Sequence, residues 1–466
     1  MYFMIGKLKD IAFAMKGKLY GEGGEETITN VSTDTRTLKE GELFFALRGE
    51  IHDGHAFLKQ AIAKGARACV ISEAGLLEQY KDSKLNFILV DDTLKGLQRL
   101  ATWHRNNFKL PVIGITGSNG KTTTKDMVAA VLSEKFTVLK TEGNYNNEIG
   151  LPLTLLKLTD KHQVVVLEMG MRGLGEIAAL CRIANPTAGI ITNIGVTHFE
   201  LLGSVENIAK AKGELLEHLP STGFALLNGE DEWSYRLRSL CRGKVLLYGF
   251  NERAQIRATD LSLGKVSRFT LEANNEKVRV ELPLPGEHNI LNALAAAGVG
   301  LELGLSLQEV AEGLKKVKLS AMRLAEVKGI NNTVIINDAY NANPTSTKAS
   351  LRVLAASQGK RKIAVLGDMR ELGAIEKECH FQIGEYAKEL GIDYLVTVGR
   401  LGRFMADGAL AAGMPEERVA AFETNDEAKE YLRSLLVPED VVLVKGSRAV
   451  KMEEIVNYLA QPEGKE

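Results

Sequence analysis

At 466 residues the chain is too long for one ordinary core, and two to four domains are expected. Its formal net charge of −1 gives no electrostatic reason to expect nucleic acid as a partner, and no apolar run approaches the ~20 residues that membrane insertion as a spanning helix requires. The four cysteines, Cys69, Cys181, Cys241 and Cys379, lie far apart and form no metal-ligand spacing, which fits buried thiols of a reducing, cytoplasmic compartment.

The chain begins with a short apolar patch, residues 1–5, followed by Lys7, Lys9 and Asp10, too short for a signal peptide. The first unit, residues 1–108, shows strand patterns at 43–47, 67–71 and 86–90 and a helical one at 55–64. Residues 30–36 are rich in hydroxyls, and the loop 48–54 places Arg48 beside glycines. Such a set either binds a pyrophosphate or sugar or is a solvated turn.

The second unit, residues 109–322, opens on the stretch that organises the chain, Val112-Ile113-Gly114-Ile115-Thr116-Gly117-Ser118-Asn119-Gly120-Lys121-Thr122-Thr123-Thr124. An apolar strand, a loop turned by Gly117 and Gly120 and a helix start near Lys121 together make an anion cradle. Backbone N–H groups point at phosphate, and the helix end adds about half a positive charge. Lys121 can reach the β/γ-phosphates and the Thr122 hydroxyl can reach Mg²⁺. The usual phosphate-loop pattern has one more glycine where this chain has Ile115.

Farther on, residues 143–150 are dense in amides, Asn144, Asn146 and Asn147 among them, and are either a loop or a polar-substrate site. Strand 164–168 ends on Glu168, where a phosphate-loop enzyme holds its Mg²⁺ with a carboxylate. Strand 189–193 runs toward His198 at the same expected crevice. Helix 205–218 carries Lys210 and Lys212; residue type alone reads both as solvated. Asn289 and Asn292 share one face of the first turn of an alanine-rich helix, 290–303.

The third unit, residues 323–466, has strands at 333–337, 362–366, 394–398 and 441–444, each followed by a polar loop, and a helix at 345–357. Strands alternating with helices predict parallel sheets with covered faces, and hence an α/β chain of three domains. Ligands of such sheets bind at the strand carboxyl ends.

The loop Thr116-Gly117-Ser118-Asn119-Gly120-Lys121-Thr122-Thr123-Thr124 resembles that of the Mur ligases, ATP-dependent amide-forming enzymes of peptidoglycan precursor synthesis. Folylpolyglutamate and cyanophycin synthetases share it, and a ligase of that kind is the nearest rival reading. Four further stretches are similar to the branch of the family that adds D-alanyl-D-alanine: residues 143–152, Glu168-Met169-Gly170, residues 338–344 and residues 367–373. An Asp-Asn-Pro-Arg box, expected of the diaminopimelate- or lysine-adding branch, is absent from the third unit.

The resemblance implies a small N-terminal α/β substrate domain, a central phosphate-loop ATPase-like parallel sheet and a C-terminal Rossmann-like domain. It implies a monomer that joins D-alanyl-D-alanine to UDP-N-acetylmuramoyl-tripeptide, with ATP and two Mg²⁺ ions. Gly117, Ser118, Asn119, Gly120, Lys121, Thr122 and Thr123 would cradle the phosphates, Asn289 and Asn292 face adenine, Asp338 take the ribose and Arg323 the γ-phosphate. Thr122 and Glu168 would hold one metal, His198 and a carbamylated Lys212 the other. Ser32, Arg36 and Arg48 are the candidates for the UDP part, and Asn144 and Asn147 for a polar portion of substrate. Asp368 or Glu371 suits the dipeptide amine, and Asn341, Asn343 or Arg370 its carboxylate. A nucleotide-driven switch or transport ATPase is the rival from another class, and it leaves the polar loops of both flanking units without a role.

Overall fold

Runs such as Val164-Val165-Val166-Leu167 have no polar face, so they can be strands only where both faces of a sheet are covered. A computed structural model, describing residues 4–460 apart from 50, 84, 319 and 321, places them in three α/β sheets and a small ribbon, Gly6–Lys7 against Thr27–Ile28. Part of the apolar N-terminal patch and Glu50 of the loop 48–54 lie outside the described residues.

The N-terminal sheet has five strands, parallel from Val31–Ser32 through Leu43–Phe45 and Ala68–Ile71 to Asn86–Leu89, with Lys18–Tyr20 antiparallel at its edge. The C-terminal sheet has six, all parallel except the edge strand Ala325–Lys328.

The central sheet has nine strands and determines where the site lies. From Val112–Thr116 the chain passes out to Val138–Lys140, returns to pair Val164–Glu168 beside the first strand, then crosses to pair Ala188–Ile191 on its other side. Chain direction therefore diverges at the carboxyl end of Val112–Thr116, which opens a crevice there. Parallel pairing continues through Phe224–Asn228 and Lys244–Gly249 to Ile256–Ser262. Ser267–Ala273 and Glu276–Leu282 then add antiparallel edge strands that are not among the sequence expectations. Their signal is an alternation, with Phe269 and Leu271 buried between more exposed Arg268, Thr270 and Glu272.

Two apolar layers cover the central sheet. On one face the helices Lys121–Leu132 and Glu287–Glu302 pack through residues such as Val128, Val131, Leu294 and Ala297. On the other, Leu155, Leu180 and Leu215 join a cluster that continues into Leu8, Leu97 and Leu100 of the N-terminal domain. The first two domains thus share a core, whereas the C-terminal sheet has separate clusters on its two faces, one of them also packed by Val196 of the central domain.

Candidate active site

The phosphate loop folds as its glycines require. Gly117 has φ +146° and Gly120 φ +81°; a Cβ on the first would stand 1.9 Å from Thr192 Oγ1, and one on the second 2.6 Å from Asn292 Oδ1. Only glycine fits a left-handed turn so closely walled. The loop is strapped to the end of the neighbouring strand. Ser118 N donates to Asn193 O (2.9 Å), Asn119 N to Asn193 Oδ1 (3.0 Å), and Gly195 N to Ser118 Oγ (2.8 Å).

Helix Lys121–Leu132 starts at this loop, so Lys121 and Thr122 stand at its positive end. Lys121 Nζ folds back to donate to Gly117 O (2.8 Å). Burial holds its ammonium below the ordinary lysine range, Glu168 opposes that, and Arg323 adds to it. Glu168 closes strand Val164–Glu168, in register with Ile115, and is 3% exposed. One of its oxygens accepts from Thr122 Oγ1 and the other from Asn146 Nδ2, each at 2.8 Å. Arg323 Nη2 donates to Thr122 Oγ1 (2.9 Å), and its guanidinium lies 4.5 Å from the centre of the Tyr340 ring.

These groups line a cavity of about 1060 Å³ between the central and C-terminal sheets. Asn289 and Asn292 form part of its wall; Thr124 Oγ1 donates to Asn292 Oδ1 (3.1 Å), and Asn289 Nδ2 to Pro285 O (2.8 Å). Opposite stands Asp338, whose Oδ2 accepts from Lys445 Nζ and from Ser350 Oγ. Asn343 caps helix Pro344–Ala356, and its Nδ2 reaches across to Asn119 Oδ1 of the phosphate loop (2.6 Å). His198 and Glu371 both have left-handed backbones, and His198 Nδ1 lies 2.6 Å from Glu371 Oε2. His198 holds the Glu371 carboxyl below its ordinary range.

Lys212 is 1% exposed on helix Val205–Glu217, and no hydrogen bond or ion pair reaches its Nζ among the described residues. Burial first, then the charge of Lys121, pushes it well below the lysine range. Lys210, two positions away, is exposed.

Several expected residues fall elsewhere. Asp368 is 1% exposed and does not line the cavity; its Oδ1 accepts from Leu401 N (2.9 Å) and Gly402 N (3.0 Å). It caps a turn and is not open to an incoming amine in this arrangement, whereas Glu371, Arg370 and Asn341 line the cavity. Asn144 and Asn147 line it too, with Asn147 Oδ1 accepting from Gly150 N (2.9 Å). Ser32, Arg36 and Arg48 do not. Ser32 ends strand Val31–Ser32 and Arg36 comes after it, forked onto Asp34, while Arg48 comes after the adjacent parallel strand Leu43–Phe45 and pairs with Asp53 and Glu73.

Sequence alone gives no specific role to Tyr340, His288 or Lys445, and reads Asn146 only as one of an amide set for a polar substrate; all four line the cavity. Their only signal is a place inside or beside stretches that stand out for other reasons.

The phosphate loop, the carboxylate ending the next strand and an arginine from another domain can be set against known proteins. Residues 27–105 match the Mur ligase family catalytic domain, 115–300 the Mur ligase middle domain, and 322–448 the Mur ligase glutamate ligase domain. The UDP-N-acetylmuramoyl-tripeptide–D-alanyl-D-alanine ligase of Bacillus subtilis is 40% identical, over 97% of this chain and 98% of the relative. The chain belongs to the Mur ligase family. A crystal structure of MurF from Acinetobacter baumannii superposes on this Mur ligase with a TM-score of 0.88 at 32% identity, covering 97% of this chain and 98% of the other. MurF ligase from Thermotoga maritima in complex with ADP gives 0.79 at 28% identity, covering 92% and 96%. This Mur ligase is an ATP-dependent enzyme that forms a carbon–nitrogen bond. No helix among the described residues is long and apolar enough to cross a membrane.

Proposed function

We propose that this enzyme joins D-alanyl-D-alanine to the terminal carboxylate of UDP-N-acetylmuramoyl-tripeptide through an acyl phosphate, releasing ADP and phosphate in peptidoglycan precursor synthesis. The observation that carries the reading is the convergence of Lys121, Thr122, Glu168 and Arg323 at the floor of a cavity whose opposite wall comes from the C-terminal domain. We set the domains at 1–108 for the UDP-muramyl-peptide, 109–322 for ATP and 323–466 for the dipeptide. Matched family segments and separate sheets support those divisions. We take the working unit to be a monomer. Four free cysteines and nucleotide-linked substrates support a cytoplasmic reaction.

A carboxylate and an amine at neutral pH exchange a proton sooner than they condense, so the acid needs activation by phosphoryl transfer. Such transfer depends on positioning and charge neutralisation more than on covalent help. Backbone N–H groups of residues 117–120 and Lys121 would hold the phosphates, Arg323 the γ-phosphate, Asn289 and Asn292 the base, and Asp338 the ribose. Thr122 and Glu168 form a hard-oxygen pair that suits Mg²⁺. His198 and Lys212 suit a second ion only if Lys212 is a carbamate, because an ammonium repels a cation and a neutral amine is a poor ligand for Mg²⁺. The ions would supply neutralisation of charge on the phosphoryl oxygens. Glu371 would hold the dipeptide amine beside the acyl group, and the C-terminal wall would exclude water from the acyl phosphate.

The deciding measurement is ADP release with UDP-N-acetylmuramoyl-tripeptide, with and without D-alanyl-D-alanine. Release that needs both substrates, with the pentapeptide product found by mass, is the expected result. Release indifferent to the dipeptide would sink the assignment.

A further inference from the structure

The segment joining the central and C-terminal domains is held at both ends by a single helix. Asp126, one turn after Thr122 on helix Lys121–Leu132, has a side chain only 1% exposed. Its Oδ2 accepts from Ser320 N (3.0 Å) and Ser320 Oγ (2.7 Å), while its Oδ1 takes Lys140 Nζ (2.8 Å) and stands 3.3 Å from Lys125 Nζ. Burial pushes the Asp126 carboxyl up, but Lys125, Lys140 and Ser320 together outweigh it and keep it below the usual range. Three residues beyond Ser320, Arg323 Nη2 reaches Thr122 Oγ1 on the same helix.

On either side of Arg323 the backbone is in an unfavourable conformation. Met322 has φ +60° and Leu324 φ +54°, left-handed values on both sides of Arg323 at residues that gain nothing locally from them. Such a conformation persists only where its surroundings over-determine it. Those surroundings include the Asp126–Ser320 bonds before it, the Thr122 bond and Tyr340 stack at Arg323 itself, the contact of Arg448 Nη1 with Met322 Sδ (4.0 Å) and the packing of Leu324 on the C-terminal core.

We infer that Asp126 is a positioning residue: through Ser320 it fixes the strained junction that delivers Arg323 to the γ-phosphate site. The inference rests on the reading of Arg323 as the γ-phosphate cation. Asp126 does not line the cavity, so the effect proposed for it is confined to what Arg323 does. It distinguishes ATP from ADP, and it vanishes when Arg323 is already gone.

The test is equilibrium binding of ADP and of a β,γ-methylene ATP analogue to the full chain, with Mg²⁺ present. Asp126→Asn and Ser320→Ala are expected to weaken the analogue about fivefold or more while leaving ADP within about twofold. Ser320→Thr, which keeps the hydroxyl, should behave as the parent. Arg323→Ala should lose the same discrimination, and adding Ser320→Ala to it should cost nothing further. Equal weakening of both nucleotides would mean that Asp126 merely supports the fold, and an extra loss on top of Arg323→Ala would mean that it acts elsewhere; either overturns the inference. If Arg323→Ala itself keeps full discrimination, the Arg323 assignment fails and the inference falls with it. Should Asp126→Asn not fold, Ser320→Ala carries the test alone.

Discussion

At the scale of single residues, Lys121 and Lys212 are two buried lysines with opposite requirements. Lys121 must stay charged to meet phosphate, and Glu168 nearby favours that state. Lys121→Ala should lower the rate by about a hundredfold or more, as losing one preorganised charge-stabilising group commonly does. A folded variant keeping a tenth of the parent rate would refute its role. Lys212 is pushed toward the neutral amine, the form that adds CO₂, and a carbamate would turn a repelled cation into an anion beside a metal. Lys212→Ala is expected to be nearly inactive and partly restored by acetate, with Lys210→Ala close to the parent. An active Lys212→Ala, or an inactive Lys210→Ala, would show the wrong residue had been chosen. His288 gives a pH effect of definite sign. Burial lowers its imidazole from 6.5 to about 4, so between those values the unfolded chain takes up a proton that the folded one refuses. Its contribution therefore falls as pH drops from 6.5 towards 4, and Tm measured over that window should decline less steeply for His288→Gln than for the parent. Identical slopes would remove His288 from the account.

At the scale of elements, the glycine loop shows which structure can be read from sequence. Gly120 is legible because a phosphate turn needs a left-handed residue, and the structure adds the reason that nothing larger fits, the Asn292 oxygen. Gly120→Ala should keep the fold yet raise KM for ATP about tenfold, since a left-handed alanine costs about 1–2 kcal/mol and its methyl group displaces Asn292. An unchanged KM would show that the loop can relax. Strands 164–168 and 394–398 match their expected bounds to the residue because continuous apolar runs leave few alternatives. Helix 55–64 matches in part: it starts as a 3₁₀ turn, Gly54–Phe57, before the α-helix Leu58–Ala63. Pairings between distant residues are out of reach of sequence. Asn343 capping its own helix follows from its place before Pro344, but its bond to Asn119 depends on how two domains meet. Left-handed His198, Met322, Leu324 and Glu371 are equally hidden, because tertiary contacts and not residue type impose those backbones.

At the scale of the whole molecule, the apolar cores divide the chain unevenly. The first two domains share one cluster, whereas the C-terminal domain meets the phosphate site through polar contacts: Arg323 to Thr122, Asn343 to Asn119, and Glu371 beside His198. Polar contacts can be remade at little cost, so this is the domain suited to admit one substrate and close over another. Among the groups it brings to the cavity are Glu371, Arg370 and Asn341, an anion, a cation and an amide. A dipeptide offers the complementary pair, an ammonium at one end and a carboxylate at the other. Binding both ends at once fixes the hand at each α-carbon, because reversing it turns a methyl group into the wall or leaves a buried charge unpaired. Loss of such a polar match discriminates far more strongly than loss of a methyl contact. Competition of D-alanyl-D-alanine against L-alanyl-L-alanine and against single D-alanine, followed by the mass of the product, should therefore give the D,D-dipeptide adduct almost alone. Glu371→Gln should raise KM for the dipeptide while leaving KM for ATP near the parent value. Equal incorporation of the L,L-dipeptide, or preference for a free amino acid, would overturn both the substrate and the role of the C-terminal wall in selecting it.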